Sequence, residues 1–316
     1  MKKYFLFFLF FLVVLQAKEL TPSYTLKVNG DIVDMMISSG KIYVTTDSSS
    51  VDIFDIATKK LEKVIKFKKI KDFLGELSDV RIYSVDKDKD RLLFVTQGEK
   101  GYSRIYLYQE GVNKLLLDEN SEMSIMKAMF LSGNKIIFAT LSSQVVVYDM
   151  KNKKIVYNKQ ISESKFSDFV LNIMKTKLLL ADESGDTKLV DVSDGSIEKV
   201  FKGKNLDNVY QIDYKDHVIA TAGKDRRCAV YWDNNSHSYY KSSNFLIYSV
   251  GLSPFGKLCA YASDDKNNIV VFETQNGEDL YKLSGNESPI SNIVFADKNS
   301  LFTTNKNKIK FWKLFN

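Results

Sequence analysis

The chain has 316 residues, 44% of them apolar and 13% aromatic, a composition that suits a globular all-β protein and excludes a disordered or collagen-like one. Its 45 basic and 39 acidic residues leave a formal charge of +6, a mild excess carried by lysines scattered through turns. Without an arginine-rich stripe or interleaved aromatic motif, nucleic acid is not expected as a partner.

Residues 1–17 have the layout of a secretory signal peptide: Lys2 and Lys3, an apolar run from Tyr4 to Leu15, then the small residue Ala17. The run has 12 residues, short of the ~20 needed to span a bilayer, so export to the periplasm with cleavage near Ala17 is expected, the rival reading being a retained anchor. No cysteine adjoins the run to take a lipid. Residues 18–316 then form one domain, with no integral span in the mature chain.

From Tyr24 onward the chain is a series of short apolar segments separated by turn signals. The clearest unit is 245–283. Ser253-Pro254-Phe255-Gly256 makes its first turn, Asp264 to Asn268 its second and Thr274-Gln275-Asn276-Gly277 its third, with strand-forming residues between them. This predicts a four-stranded meander, which cannot cover both faces alone and needs copies of itself as neighbours. The residue that closes its third strand, Phe272, has counterparts at Phe54, Tyr108, Tyr148, Val190, Trp232 and Trp312, at intervals of 54, 40, 42, 42, 40 and 40 residues. That period is the roughly 40–45 residues of a propeller blade. Seven markers predict an all-β, seven-bladed propeller. Its final unit, from Ile290, stops at a third strand, and the spare strand Tyr24 to Val28 is expected to complete that blade and close the ring.

The interval of 54 reflects an insertion, Lys68 to Asp79, expected as a long surface loop or one helical turn, or else as a docking loop presenting Phe73 and Leu74. Asp86-Lys-Asp-Lys-Asp90 resembles the start of a calcium loop, but Arg91 stands where glycine is required and Gln97 where a bidentate glutamate is required. An exposed turn is expected there, and no metal site. Cys228 and Cys259 fall on different strands of different blades, so they are read as separate small buried thiols. His217 and His237 sit in turns without metal-ligand spacing. Neither nucleophile elbows nor phosphate loops nor haem-attachment motifs occur, so catalytic and cofactor-binding residues are assigned to none. The densest charge cluster, Lys224, Asp225, Arg226 and Arg227, lies in the loop between the second and third strands of the fifth unit. It is the main candidate for partner binding, because an arginine pair can engage carboxylates bidentately.

Four markers are followed by aspartate (Phe54-Asp55, Tyr148-Asp149, Val190-Asp191, Trp232-Asp233), where WD40 repeats carry Trp-Asp. With the leader, the unit SVGLSPFGKLCAYASDD and seven repeats, the whole chain resembles the WD40-type accessory protein, the L subunit, of epsilonproteobacterial periplasmic nitrate reductase systems. It departs from WD40 repeats in lacking their Gly-His pair. The resemblance implies a non-catalytic helper in the assembly or maturation of a periplasmic respiratory enzyme, and a monomer is expected. The rivals are an outer-membrane assembly scaffold and a propeller enzyme, either a quinone-dependent dehydrogenase or a lactonase, which would need several charged groups converging on the central channel.

Overall fold

The computed structural model describes residues 17–72 and 74–315; the expected leader, except Ala17, and Phe73 lie outside the described residues. Seven sheets follow one another along the chain, each a meander from an innermost to an outer strand. They span 32–66, 82–117, 125–160, 166–201, 209–242, 250–283 and 292–313, numbered here as blades 1 to 7. Every marker residue lies on a third strand, where both faces of the sheet are covered by neighbouring blades. Seven apolar clusters fill the ring, most of them joining side chains of two consecutive blades.

Blade 7 has three strands of its own, and Tyr24–Lys27 supplies the fourth, antiparallel to Lys308–Lys313 with Tyr24 opposite Phe311. Leu26 packs against Phe302 and Ile309, and the Tyr24 ring stacks on Phe311 with centroids 4.9 Å apart. Without this strand the third strand of blade 7 would offer a free edge, the usual seed of aggregation.

One further strand is not legible in the repeat. Lys18–Leu20 adds a fifth strand to blade 6, parallel to Asp279–Leu283, with Lys18 opposite Tyr281 and Leu20 opposite Leu283. The Ser284 N–H donates to Leu20 O at 3.0 Å, so the segment before the closing strand is tied to a second blade.

The insertion after blade 1 is neither an open loop nor a helical turn. Ile70–Lys71 pairs with Leu77–Ser78 in a small hairpin whose tip is held by the Asp72 carboxylate, which accepts from Leu74 N (2.9 Å) and Glu76 N (3.0 Å). Ile70 is buried while Leu74 is 86% exposed. Of the Asp86 to Asp90 segment, Lys89 and Asp90 form the expected exposed turn, while the residues before them do not. Asp86 and Asp88 belong to the innermost strand Ile82–Asp88, and the buried Asp86 accepts the Phe130 N–H at 2.7 Å.

The two cysteines are buried and unbonded. Both are the small buried thiols expected, and they share one place that the repeat register did not imply, the apolar cluster between blades 5 and 6. Strand position within a blade does not report which residues meet across two blades, because facing sheets interlock through side chains about 10 Å apart.

Candidate protein-docking face

The innermost strands are built on one pattern. In blades 1 to 5 each opens with a buried apolar residue (Ile32, Ile82, Ile125, Phe166, Val209), with counterparts Ile247 and Ile290 just before the innermost strands of blades 6 and 7, and two positions later comes a polar one: Asp34, Ser84, Lys127, Asp168, Gln211, Ser249 and Asn292. In blades 1 to 5 the ladder to the second strand skips the residue between them, a β-bulge at Val33, Tyr83, Met126, Ser167 and Tyr210. A bulge re-aims side chains. These five and their counterparts Tyr248 and Ser291 line one cavity of ≈ 430 Å³, which is the mouth of the central channel.

The polar ring is used largely to latch blades together. Val85 N–H donates to Asp34 Oδ2 (3.0 Å), Ala128 N–H to Ser84 Oγ (3.3 Å), Ile212 N–H to Asp168 Oδ2 (3.1 Å) and Val250 N–H to Gln211 Oε1 (3.0 Å). Two positions further along the strand, Asp86 and Asp213 do the same for Phe130 and Leu252. Each acceptor lies in one blade and each donor in the next. Between blades 6 and 7 the corresponding residue is Gly251, where an added Cβ would lie 2.4 Å from Ile293 O, so backbone approach replaces the side-chain latch.

Lys127 is the cation of the channel, with its ammonium 2.7 Å from Asp168 Oδ1. Desolvation pulls its pKa down, but Asp168, Asp34 and Asp213 outweigh it and hold the ammonium protonated, above the usual lysine value. Burial pushes the Asp34 carboxyl up, opposed by Lys127 and the Val85 N–H. The channel thus holds several charged groups, of which Asp34, Asp86, Asp168 and Asp213 each accept a backbone N–H of the next blade and Lys127 pairs with Asp168.

The rim is aromatic and more open. Tyr210 and Tyr248 stack at 5.3 Å with their planes 24° apart, Phe245 meets Tyr248 edge-on at 6.3 Å, and Tyr83 lies beside the exposed Arg81. Tyrosines with an apolar body and a polar tip are the side chains that protein interfaces favour.

Val209, at the start of an innermost strand, pairs with Gly223, at the end of a second strand. The channel mouth therefore opens on the same face as the loops between second and third strands, and as the insertion, which joins an outer strand to the next innermost one. Lys224, Arg226 and Leu74 all belong to this face. Its cluster of four charges divides by role. Asp225 accepts from Leu206 N (2.8 Å) and Asn205 Nδ2 (3.1 Å), while Thr221 Oγ1 donates to Asn205 Oδ1 at 2.6 Å. This amide-centred network fastens the loop entering blade 5, in a chain whose repeats lack the Gly-His pair. Arg227 is held beside Asp225 (3.8 Å) and over the Tyr240 ring (4.4 Å). Lys224 pairs loosely with Asp207 (3.4 Å), and Arg226 is exposed, with no ion pair among the described residues. The arginine pair is thus one surface arginine and one structural one.

His217, read as isolated, has a carboxylate after all: its Nδ1 lies 2.7 Å from Asp233 Oδ1, and the Tyr214 hydroxyl donates to the other oxygen of Asp233. Among the described residues no group of three or more His, Cys, Asp or Glu side chains is arranged to hold a metal ion, and no helix is long and apolar enough to cross a membrane.

No protein-family model matches the chain. The crystal structure of the Myceliophteria thermophila Cps50 (Swd1) β-propeller domain superposes with a TM-score of 0.69 at 13% identity, covering 93% of this chain and 99% of that one. The likeness shows the fold, a β-propeller, whose seven blades are those described above. Protein SPA1-RELATED 3 of Arabidopsis thaliana is 23% identical over 189 residues, 57% of this chain, which spans about a fifth (21%) of that protein's length.

Proposed function

We propose that this chain is a non-catalytic docking propeller, a periplasmic accessory protein that binds a respiratory enzyme, nitrate reductase in the first instance, or its maturation components during assembly. The observation that carries the non-catalytic part is the use of the channel charges: Asp34, Asp86, Asp168 and Asp213 each accept a backbone N–H of the next blade, and Lys127 is paired with Asp168. Groups so engaged hold the ring closed. What the same face leaves open is a rim of tyrosines, Arg81, Arg226 and Lys224, a surface suited to a polypeptide. Propellers seldom rearrange on binding, so this surface is ready as it stands. The periplasmic placement rests on the leader, and the respiratory partner on the resemblance of the whole chain to the L-subunit accessory proteins.

Retention of partners from a periplasmic extract by the purified chain, with mass spectrometry of what is held, tests the reading. A respiratory enzyme subunit or its maturation factor, lost when Tyr210 and Tyr248 are replaced by Ala, is the expected result. Retention of outer-membrane assembly components alone would transfer the chain to that class of scaffold, and a purified chain carrying a bound chromophore would favour an enzyme.

A further inference from the structure

On the face opposite the channel mouth, the turns joining innermost and second strands of blades 4, 5 and 6 enclose a cleft of ≈ 430 Å³. Ile173, Met174 and Phe255, which are 97%, 74% and 65% exposed, form its apolar walls, and Asp216 and His217 form its polar end. Apolar walls around a few polar groups, at this size, are the make-up of a small-molecule site.

The polar end is a two-residue hairpin turn, closed by Lys215 opposite Val218, in which Asp216 and His217 both have positive φ (47° and 67°). Such a turn favours glycine at its second position, and the same turn of blade 1, Ser39-Gly40, has it. Among the described residues no other two consecutive non-glycine residues share positive φ. Blade 5 keeps a histidine there and fixes it twice: Asp233 N–H donates to His217 O at 3.1 Å, and Asp233 Oδ1 lies 2.7 Å from His217 Nδ1 while the Tyr214 hydroxyl donates to the other carboxylate oxygen. A carboxylate only accepts, so Nδ1 carries the proton and Nε2 is left as an acceptor, with no partner among the described residues. Strain retained around an oriented side chain points to a use for that side chain.

Charge selects the polar group of the ligand. Asp216 is exposed and has no ion pair among the described residues. Lys215 beside it is committed to Asp213 at 2.8 Å, and Lys175, next to Met174, to Phe130 O at 2.7 Å. Lys257 is exposed but does not line the cleft, and the outer turns of blades 4 and 6 on this face carry Asp194 and Glu278, likewise without ion pairs among the described residues. We propose that the cleft binds a small aromatic amine, its ring between Ile173, Met174 and Phe255 and its ammonium donating to His217 Nε2 and the Asp216 carboxylate. Phe255 and the Met174 thioether are favourable neighbours for an aromatic ring, and the two acceptors match a cationic donor. This site is separate from the channel mouth and does not depend on a partner bound there.

The test titrates phenethylamine, phenethyl alcohol and hydrocinnamate into the full chain, read by NMR from labelled methionine methyls and from the rings of its two histidines, His217 and His237. The amine should shift the Met174 and His217 signals saturably, leave His237 unchanged and bind about fivefold more tightly than the alcohol, the gain an exposed ion pair can supply. Asp216→Asn should remove that preference and leave binding of the alcohol as it was. His217→Gly, whose backbone suits the turn, should keep the melting temperature within a few degrees and weaken binding of the amine by about fivefold or more. Absence of a saturable shift, or alcohol or carboxylate bound as tightly as the amine, overturns the proposal. So does unchanged amine affinity in a folded His217→Gly chain, or an equal shift at both histidines, which would mark general adsorption of the cation.

Discussion

Lys127 of blade 3 and Asp168 of blade 4 form an ion pair at 2.7 Å across the central channel wall, and the other oxygen of that carboxylate accepts the Ile212 N–H of blade 5. One side chain thereby fastens three consecutive blades. Asp168→Ala leaves a largely enclosed ammonium and a buried N–H without partners, a change that costs about 2–4 kcal/mol when partly water-accessible pairs are broken from one side. Urea unfolding should show that loss, whereas Lys127→Met, which leaves Asp168 its backbone donor, should cost less than half as much. Equal losses would mean that the ion pair, and not the latch to blade 5, is what Asp168 contributes.

Removal of residues 18–28 takes away the closing strand and the fifth strand of blade 6. The exposed third strand of blade 7 and the lost Leu26 packing should lower the melting temperature by roughly 10 °C or more, since each kcal/mol corresponds to ~2–4 °C in a domain of this size class. Light scattering should rise as well, through the opened edge.

The insides of the blades were readable because buried strands, however short, keep their turn chemistry. Asn276-Gly277 and Ser253-Pro254-Phe255-Gly256 mark hairpin turns, and Phe54, Tyr108, Tyr148, Val190, Trp232, Phe272 and Trp312 all sit on third strands. The polar ring was harder to see. Asp34, Lys127 or Asp168 is one polar residue in an apolar strand, and only the alignment of all seven innermost strands shows that each has one at the same place. The bulges that set their direction leave no mark in a single sequence. Cys228 and Cys259 share a core through the packing of one blade on the next, and Lys18 pairs with Tyr281 as an extra edge strand outside the four-strand repeat, neither of which periodicity within a blade encodes.

Desolvation in the blade 5–6 core pushes the Cys259 thiol well above its ordinary range, with the Cys228 thiol adding to the effect. A thiolate is the reactive form. Both cysteines should resist an aromatic disulfide reagent in the native protein at pH 8 and react together once urea unfolds the ring. Reaction of one thiol in the folded state would place it at the surface and contradict the shared core.

Asp182 is fully enclosed, bonded to the Lys188 ammonium and to Ser184. Desolvation raises its pKa, but Lys188 and Ser184 outweigh that and hold the carboxyl below the usual aspartate range. The folded value lies below the unfolded one of about 3.9, so the stability it supplies is present above that pH and is lost as pH falls through the folded value. Asp34 and Asp86, pushed up by burial, act with the opposite sign. Asp182→Asn should therefore lower stability at pH 7 and flatten its decline below pH 4, as read by chemical unfolding at a series of pH values.

The loop of blade 5 separates surface from structure. Lys224→Ala with Arg226→Ala should weaken partner capture, more at low salt than at high, with the fold intact. Asp225→Ala should instead destabilise the ring by about 1–3 kcal/mol, because Leu206 N–H and Asn205 lose their acceptor. Unaltered capture by the first variant would move the contact to the hairpin carrying Leu74.

The central claim is that the channel-mouth face holds a protein partner. Photocrosslinking in intact cells from a benzoylphenylalanine placed at Tyr248, Arg226 or, as a control, Tyr157 on the outer strand of blade 3 tests it most directly. The account predicts one and the same protein adduct from Tyr248 and Arg226 and none from Tyr157. An absence of adducts from both face positions, together with a small-molecule turnover abolished by Lys127→Met, would contradict it.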